Sequence, residues 1–119
     1  SDVYKRQTDR AKDIIKTGGE NVSSLKVEQI LLDAPGVVEV AVVAAPDSHW
    51  GEAVTAVVLS DRVESADDPA CVELEKEIID YARARMSGFE TPKKVKFVDA
   101  LPRTSTGKIR KNILRDSLK

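Results

Sequence analysis

The sequence predicts an α+β domain in which helices flank a small sheet. Residues 37–45 are almost entirely apolar and rich in β-branched side chains, and residues 53–59 form a second such run after a short loop. Runs of this kind favour strands that are buried against other elements. Apolar residues recur at helical spacing in residues 25–34 and again in residues 70–86. These segments predict an antiparallel sheet of about three strands flanked by helices, preceded by an N-terminal β-hairpin.

The hairpin is predicted in residues 13–23, where two short runs flank the pair Gly18-Gly19. Two consecutive glycines permit positive φ angles and allow another group to approach the backbone closely. An ordinary tight turn would also explain this glycine pair. Ser23 and Ser24 follow the second run, and both are suitable N-caps for the helix at 25–34.

The remaining elements are predicted from residues that end helices and from the spacing of apolar and charged residues. Pro35-Gly36 ends the first helix. The helix at 70–86 begins with acidic residues and ends with basic ones, which complements its dipole, so these charges need no functional explanation. Residues 95–98 alternate apolar and charged side chains and predict the third strand, and a short amphipathic helix is expected from Ile109 to the end of the chain.

Composition limits the possible functions. The chain has 119 residues, of which 41% are hydrophobic and 33% charged, as expected for one soluble globular domain. Its formal net charge of −1 argues against the chain as a whole being a nucleic-acid binder. The charge is uneven, however, because residues 93–119 hold nine Lys and Arg against Asp99 and Asp116. This basic C-terminal quarter suits an anionic ligand or an acidic partner surface.

Cysteine usage and hydropathy bear on the compartment. A single Cys71 rules out an internal disulfide and fits a reducing compartment, so we expect a cytoplasmic location. No apolar run reaches the roughly eighteen residues that a membrane span needs, and the first residues lack the pattern of a signal peptide. We therefore expect no membrane span.

The most distinctive stretch is PRTSTGKIRK, residues 102–111. It predicts an exposed polar loop that carries Lys108 directly after a glycine. Lys108 is either an ordinary solvated lysine or a cation that is presented to an anionic reaction centre. A Walker phosphate loop is excluded, because that pattern needs glycine at Pro102 and Ser or Thr at Ile109.

A second distinctive stretch is TDRAKDIIKTGGENV, residues 8–22, and Trp50-Gly51-Glu52 lies between the two. In this order and at this separation, the motifs resemble those of the adenylate-forming (AMP-binding) enzymes, which include acyl-CoA synthetases, luciferases and peptide-synthetase adenylation domains. The resemblance covers residues 8–119 and only the small C-terminal domain of these enzymes. The segment KTGGENV looks most like the fatty-acyl-CoA synthetase branch. Residues 1–7 do not match, so we leave them unassigned and outside the functional argument; a cloning or assembly remnant is one explanation for them.

The resemblance implies a two-step activation of a carboxylic acid, here a fatty acid. The carboxylate attacks the α-phosphate of ATP to give an acyl-adenylate, and coenzyme A then displaces AMP to give a thioester. The partner implied is a large N-terminal domain that holds adenine, Mg²⁺ and the acid, while no metal ligand is assigned to this chain. The isolated chain is therefore expected to be inactive.

The resemblance also implies individual roles. The ammonium of Lys108 would contact the acid and the α-phosphate, Arg10 would bind the nucleotide ribose, and Lys12 would be the hinge between the domains. A loop that lines the tunnel for the pantetheine arm of coenzyme A would comprise Lys16, Gly18, Gly19 and Glu20.

Some alternatives stay open. Trp50 is either a core residue or a residue that docks the large domain, and His49 is either a catalytic base or a solvated loop residue. The whole chain could instead be a stand-alone module that docks an acidic partner through its basic end. Nucleic-acid binding by the same end is weaker, since two Phe, two Tyr and one Trp offer few stacking surfaces.

Overall fold

The computed structural model describes residues 14–64 and 67–118. Arg10 and Lys12, for which nucleotide and hinge roles were predicted, lie outside these residues. The elements in chain order are β1 (Ile14–Thr17), β2 (Glu20–Ser23), α1 (Ser24–Leu31), β3 (Val37–Asp47), β4 (Gly51–Ser60), α2 (Ala70–Arg83), β5 (Lys94–Phe97) and α3 (Lys111–Ser117).

The strands form one five-stranded sheet, and the predicted α+β class is confirmed. Its order is β2-β1-β4-β3, and β5 pairs with β4. The hairpin of β1 and β2 belongs to this same sheet, because Thr17 pairs with Gly51 at the start of β4. The short loop after β3 makes β3 and β4 antiparallel over ten residue pairs, as predicted.

One pairing departs from the predicted antiparallel arrangement. Strand β5 runs parallel to β4, with Thr55 opposite Lys94 and Val58 opposite Phe97. The chain between these strands contains α2, and a helical crossover of this kind returns the chain in the same direction. Alternating side chains in β5 identify a strand but do not identify the direction of its neighbour.

The sheet is covered on both faces, which explains why β3 and β4 are apolar throughout. Alternate residues of a strand point to opposite faces. Val42 and Val54 pack with Leu31 of α1 and Ile78 of α2 in the larger core cluster. On the other face, the smaller cluster consists of Ala41, Val43, Val57, Leu101 and Leu114. The predicted burial of β3 and β4 against α1 and α2 is confirmed, and α3 closes the second face.

The start of α1 follows its local signal, although the helices are shorter than predicted. Ser23 is the N-cap of α1, and its side chain accepts a hydrogen bond from the backbone N–H of Lys26 at 3.3 Å. Gly36 adopts a φ of +72° in the turn before β3. None of the helices within residues 14–64 and 67–118 is long and apolar enough to cross a membrane.

Three glutamates bind backbone N–H groups at strand edges. Glu28 accepts from Val42 at 2.8 Å, and Glu75 accepts from Val95 at 2.8 Å. Glu52 accepts from the N–H of Lys16 at 2.8 Å, at a position where the pairing of β1 with β4 has ended. Such contacts satisfy donors that the sheet itself leaves open.

Candidate functional site

The loop that carries Lys108 is a small closed structure. Arg103 and Ile109 form an antiparallel bridge across its base. The N–H of Thr104 donates to the carbonyl of Lys108 at 2.8 Å, and the N–H of Gly107 donates to the carbonyl of Thr104 at 2.9 Å. Gly107 has a φ of +89°, a conformation that favours glycine and turns the chain back toward the bridge. The loop therefore has a defined shape despite its polar sequence.

Lys108 is available to an incoming anion. Every residue from 103 to 108 is exposed, and no acidic side chain among the described residues pairs with the Lys108 ammonium. The lysine borders an open groove of about 690 Å³. The cations that line this groove are Arg103, Lys108, Arg110, Lys111 and Arg115, and among the described residues Glu28 is the one acidic residue that lines it. The groove therefore attracts negative charge.

Arg103 fixes one side of the loop. Its guanidinium forms an ion pair with Glu39 of β3 and also donates to the carbonyl of Gly107 at 2.8 Å. Leu101, just before the loop, is buried in the cluster on the α3 face of the sheet. The entry of the loop is thus attached to the sheet by one apolar and one charged contact.

The second predicted loop is the turn between β1 and β2. Gly18 and Gly19 have φ angles of +57° and +84°, so both occupy the left-handed region. The N–H of Gly18 donates to the carbonyl of Trp50 at 2.9 Å. Added Cβ atoms distinguish the two glycines. At Gly18 a Cβ would lie 2.8 Å from Cε3 of Trp50, whereas at Gly19 it would meet nothing within 4 Å. Gly19 therefore faces open space.

Trp50 lies at the surface beside this turn, and its relative exposure of 36% excludes the core position. Its ring is 5.0 Å from the ammonium of Lys93 and makes an edge contact with His49 at 4.9 Å. The Asp47 carboxylate accepts from the backbone N–H groups of Trp50 at 2.9 Å and His49 at 2.8 Å. These two hydrogen bonds hold the pKa of Asp47 below its ordinary value, with a smaller contribution from the positive charge of Lys94.

Comparison with known proteins identifies the chain. Residues 26–108 match the model of the AMP-binding enzyme C-terminal domain. This chain belongs to that family. The match begins in α1, includes Trp50 and ends on Lys108, so β3, β4, β5 and Lys108 lie within the matched residues, whereas β1 and β2 precede them.

Two relatives of this AMP-binding C-terminal domain are much longer proteins. The chain is 49% identical, over all of its length, to the probable acyl-activating enzyme 6 of Arabidopsis thaliana, of which it covers 21%. It is 43% identical, over 91% of its length, to the long-chain-fatty-acid–CoA ligase FadD13 of Mycobacterium tuberculosis, of which it covers 20%. The chain thus spans about a fifth of the length of these curated relatives.

A solved structure agrees with these matches. The chain superposes on the fatty acyl CoA synthetase of Mycobacterium tuberculosis with a TM-score of 0.76 at 40% identity. The superposition covers 89% of this chain and 20% of that protein. At this identity the similarity extends beyond the fold to the sequence of the domain.

The structure groups the predicted residues of the AMP-binding C-terminal domain into two places. Lys16, Gly18, Gly19 and Glu20 lie in or beside the β1–β2 turn, and Trp50 packs on it. None of these five residues lines the groove beside Lys108. The domain therefore presents two separate surface regions: the lysine loop and groove, and the glycine turn with Trp50.

The roles of three further residues were not predicted from the sequence. Glu52 anchors β1, Asp47 shapes the turn before Trp50, and Lys93 lies over the indole. The segment Pro46-Asp47-Ser48-His49 carries a signal for Asp47, because aspartate commonly binds the backbone N–H two residues ahead. Lys93 has no local signal, since its partner is 43 residues away in the sequence.

Proposed function

We propose that this chain is the C-terminal domain of an enzyme that joins a carboxylic acid to coenzyme A with ATP. The acid would first form an acyl-adenylate and release pyrophosphate, and coenzyme A would then form the thioester and release AMP. The observation that supports this most directly is the accessible Lys108 on a structured loop within the matched family domain. The relatives whose names describe acyl activation and CoA ligation support the reaction class.

Lys108 would act in the first step. Negative charge gathers on the acid oxygens and the α-phosphate as the carboxylate attacks, and an ammonium placed there lowers the barrier. A single preorganised donor of this kind is typically worth about 3 kcal/mol. The basic groove around Lys108 would strengthen the attraction for phosphate oxygens.

The β1–β2 turn would act in the second step. Gly18 and Gly19 carry no side chains, and the space beside Gly19 is open. A thiol at the end of a long flexible arm could therefore pass close to the backbone there. This path would be bordered by Lys16, Glu20 and Trp50. We also propose that the large domain docks near Trp50.

The remaining groups belong to the large domain in this proposal. Adenine, Mg²⁺ and the acyl chain would be held there, and the described residues hold no cluster of three or more metal-ligand side chains. Arg10 would reach the ribose and Lys12 would be the hinge, as the family resemblance implies. A fatty acid is proposed as the substrate on the name of the mycobacterial ligase. The cytoplasm is proposed as the location because the single Cys71 fits a reducing compartment.

The test separates the two half-reactions in the full-length protein. Lys108→Ala should slow acyl-adenylate formation by about 100-fold or more, because the developing charge loses its cation. Supplied with ready-made acyl-adenylate, the same variant should form thioester at a near-normal rate. Gly19→Leu should do the reverse, by filling the open space that the pantetheine arm needs.

Lys76→Ala is the matched control, since Lys76 is an exposed lysine on α2 far along the chain from both loops. It should leave both half-reactions unchanged. Equal losses in both steps for Lys108→Ala would contradict the assignment of two regions to two steps. If the chain is instead a stand-alone docking module, the protein that contains it forms no acyl-adenylate from ATP with any carboxylic acid.

A further inference from the structure

The loop of Lys108 cannot fix its own position. Residues 104–108 are all exposed, so none of their side chains is packed in the core. The hydrogen bonds inside the loop determine its shape but not where it stands on the domain. Its placement therefore depends on the residues at its two ends. Leu101 and Arg103 attach the entry, and the exit is attached by Ile109, which is half-buried against the cluster on the α3 face, and by Lys111.

The exit is the start of a helix with little stability of its own. Helix α3 has seven residues, and Leu114 is its only buried side chain. Arg110, at the N-cap position, makes no side-chain capping bond, and the first turn carries no acidic residue. A lysine at the first helical position is also opposed by the helix dipole. Local sequence alone would not hold this helix start in place.

A tertiary contact compensates at this point. The ammonium of Lys111 lies 2.7 Å from Oε2 of Glu28 and donates to Oγ of Ser24 at 3.1 Å. The side chains of Lys111 and Glu28 are 16% and 17% exposed, so water screens this ion pair less than it screens an exposed pair. The same Glu28 oxygen accepts the N–H of Val42 at 2.8 Å, which fixes the carboxylate on β3.

We propose that Lys111 is a positioning residue for Lys108. Its contacts with Glu28 and Ser24 attach the start of α3 to α1, and Glu28 in turn is attached to β3. Lys108 lies three residues before Lys111, so a displacement of the helix start moves the ammonium of Lys108 directly. This inference rests on the proposed function for its catalytic consequence, but the positioning itself is independent of activity.

The first experiment measures the loop in the 119-residue chain. Lys111→Met removes the charge and keeps most of the side-chain volume. The amides of Thr104, Gly107 and Arg110 donate hydrogen bonds within the loop or across its base, and they should exchange with solvent about tenfold faster in this variant. Lys111→Arg keeps the charge and should restore the exchange rates.

Lys26→Met is the matched control. Lys26 also pairs α1 with a distant segment, through Glu90 at 2.9 Å, but it does not contact the lysine loop. It should leave exchange in residues 104–110 unchanged. Wild-type exchange rates in Lys111→Met, or equal acceleration by Lys26→Met, would overturn the proposal.

The second experiment tests the catalytic consequence in the full-length protein. Lys111→Met should slow acyl-adenylate formation by about 10- to 100-fold, since small displacements of a catalytic group have effects of this size. Thioester formation from supplied acyl-adenylate should change little, and Lys111→Arg should recover adenylation. If the wild-type protein forms no acyl-adenylate, the proposed function fails, and the exchange experiment still decides whether Lys111 positions Lys108.

Discussion

The indole of Trp50 lies against Gly18 and leaves no room for a side chain at that residue. A Cβ at Gly18 would lie 2.8 Å from Cε3 and 3.0 Å from Cζ3 of the ring. The backbone joins the two residues as well, through the hydrogen bond from Gly18 to the Trp50 carbonyl. The glycine turn and the β3–β4 connection therefore form one unit, although 32 positions separate these residues in the sequence.

Substitutions at the two glycines should separate steric from conformational effects. Gly18→Ala should lower the free energy of unfolding by about 3 kcal/mol, because the Cβ meets the indole and φ is +57°. Gly19→Ala should lower it by only about 1 kcal/mol, since only the positive φ opposes the side chain. Urea unfolding of the 119-residue chain measures both. Equal losses would show that the indole moves aside freely.

Asp47 should make the surroundings of Trp50 sensitive to acid. Its pKa is lowered from the ordinary 3.8 by hydrogen bonds from the N–H groups of Trp50 and His49. A lowered folded-state pKa means that this stabilisation is complete above the ordinary pKa and is lost as the pH falls through the folded value. Trp50 is the only tryptophan, so its fluorescence reports on the turn.

The expected result is a change in Trp50 fluorescence below pH 3.8 that precedes global unfolding measured by circular dichroism. Asp47→Asn keeps an oxygen acceptor but does not titrate, so this early change should be absent in that variant. His49→Gln controls for the neighbouring imidazole. A full early change in Asp47→Asn would assign the signal to another carboxyl group.

The sequence predicted the elements better than it predicted their relations. Apolar runs identify β3 and β4, and helical spacing of apolar residues identifies α1 and α2. In each case burial of one or both faces of the element determines which positions are apolar. The parallel pairing of β5 was missed, since four alternating residues carry no information about the neighbouring strand. Helix α2 ends at Arg83 rather than at residue 86, although helical spacing extends as far as Met86.

In the candidate site, too, local features were predicted and distant contacts were not. Lys108 and the Gly18-Gly19 turn were found from local motifs. The residues that hold them were not, because their partners are distant in sequence: Glu28 and Lys111 are 83 positions apart, and Lys93 and Trp50 are 43 apart.

Thr17 should tolerate loss of its hydroxyl. It is 1% exposed, and its Oγ1 has no hydrogen-bond partner among the described residues. Thr17→Val replaces the hydroxyl with a methyl group of similar shape and should raise the free energy of unfolding by about 1 kcal/mol. Thr55→Val is the matched comparison, because Thr55 is equally buried but donates to Ala53 at 3.2 Å. It should lower stability by about 1 kcal/mol, and equal signs in the two variants would contradict this account.

Glu75 should contribute more to stability than its position on a polar helix face suggests. Its carboxylate accepts the N–H of Val95 at 2.8 Å, in a partly buried contact that joins α2 to β5. Glu75→Ala leaves that N–H without its acceptor and should lower the free energy of unfolding by about 2 kcal/mol. Glu77→Ala, on the same helix, removes only an exposed pair with Arg62 at 3.6 Å and should change stability by less than about 0.5 kcal/mol. Urea unfolding compares the two variants, and amide exchange of Val95 locates the effect. A Glu75→Ala variant as stable as Glu77→Ala, with Val95 still protected, would show that another group or water replaces the carboxylate at the edge of β5.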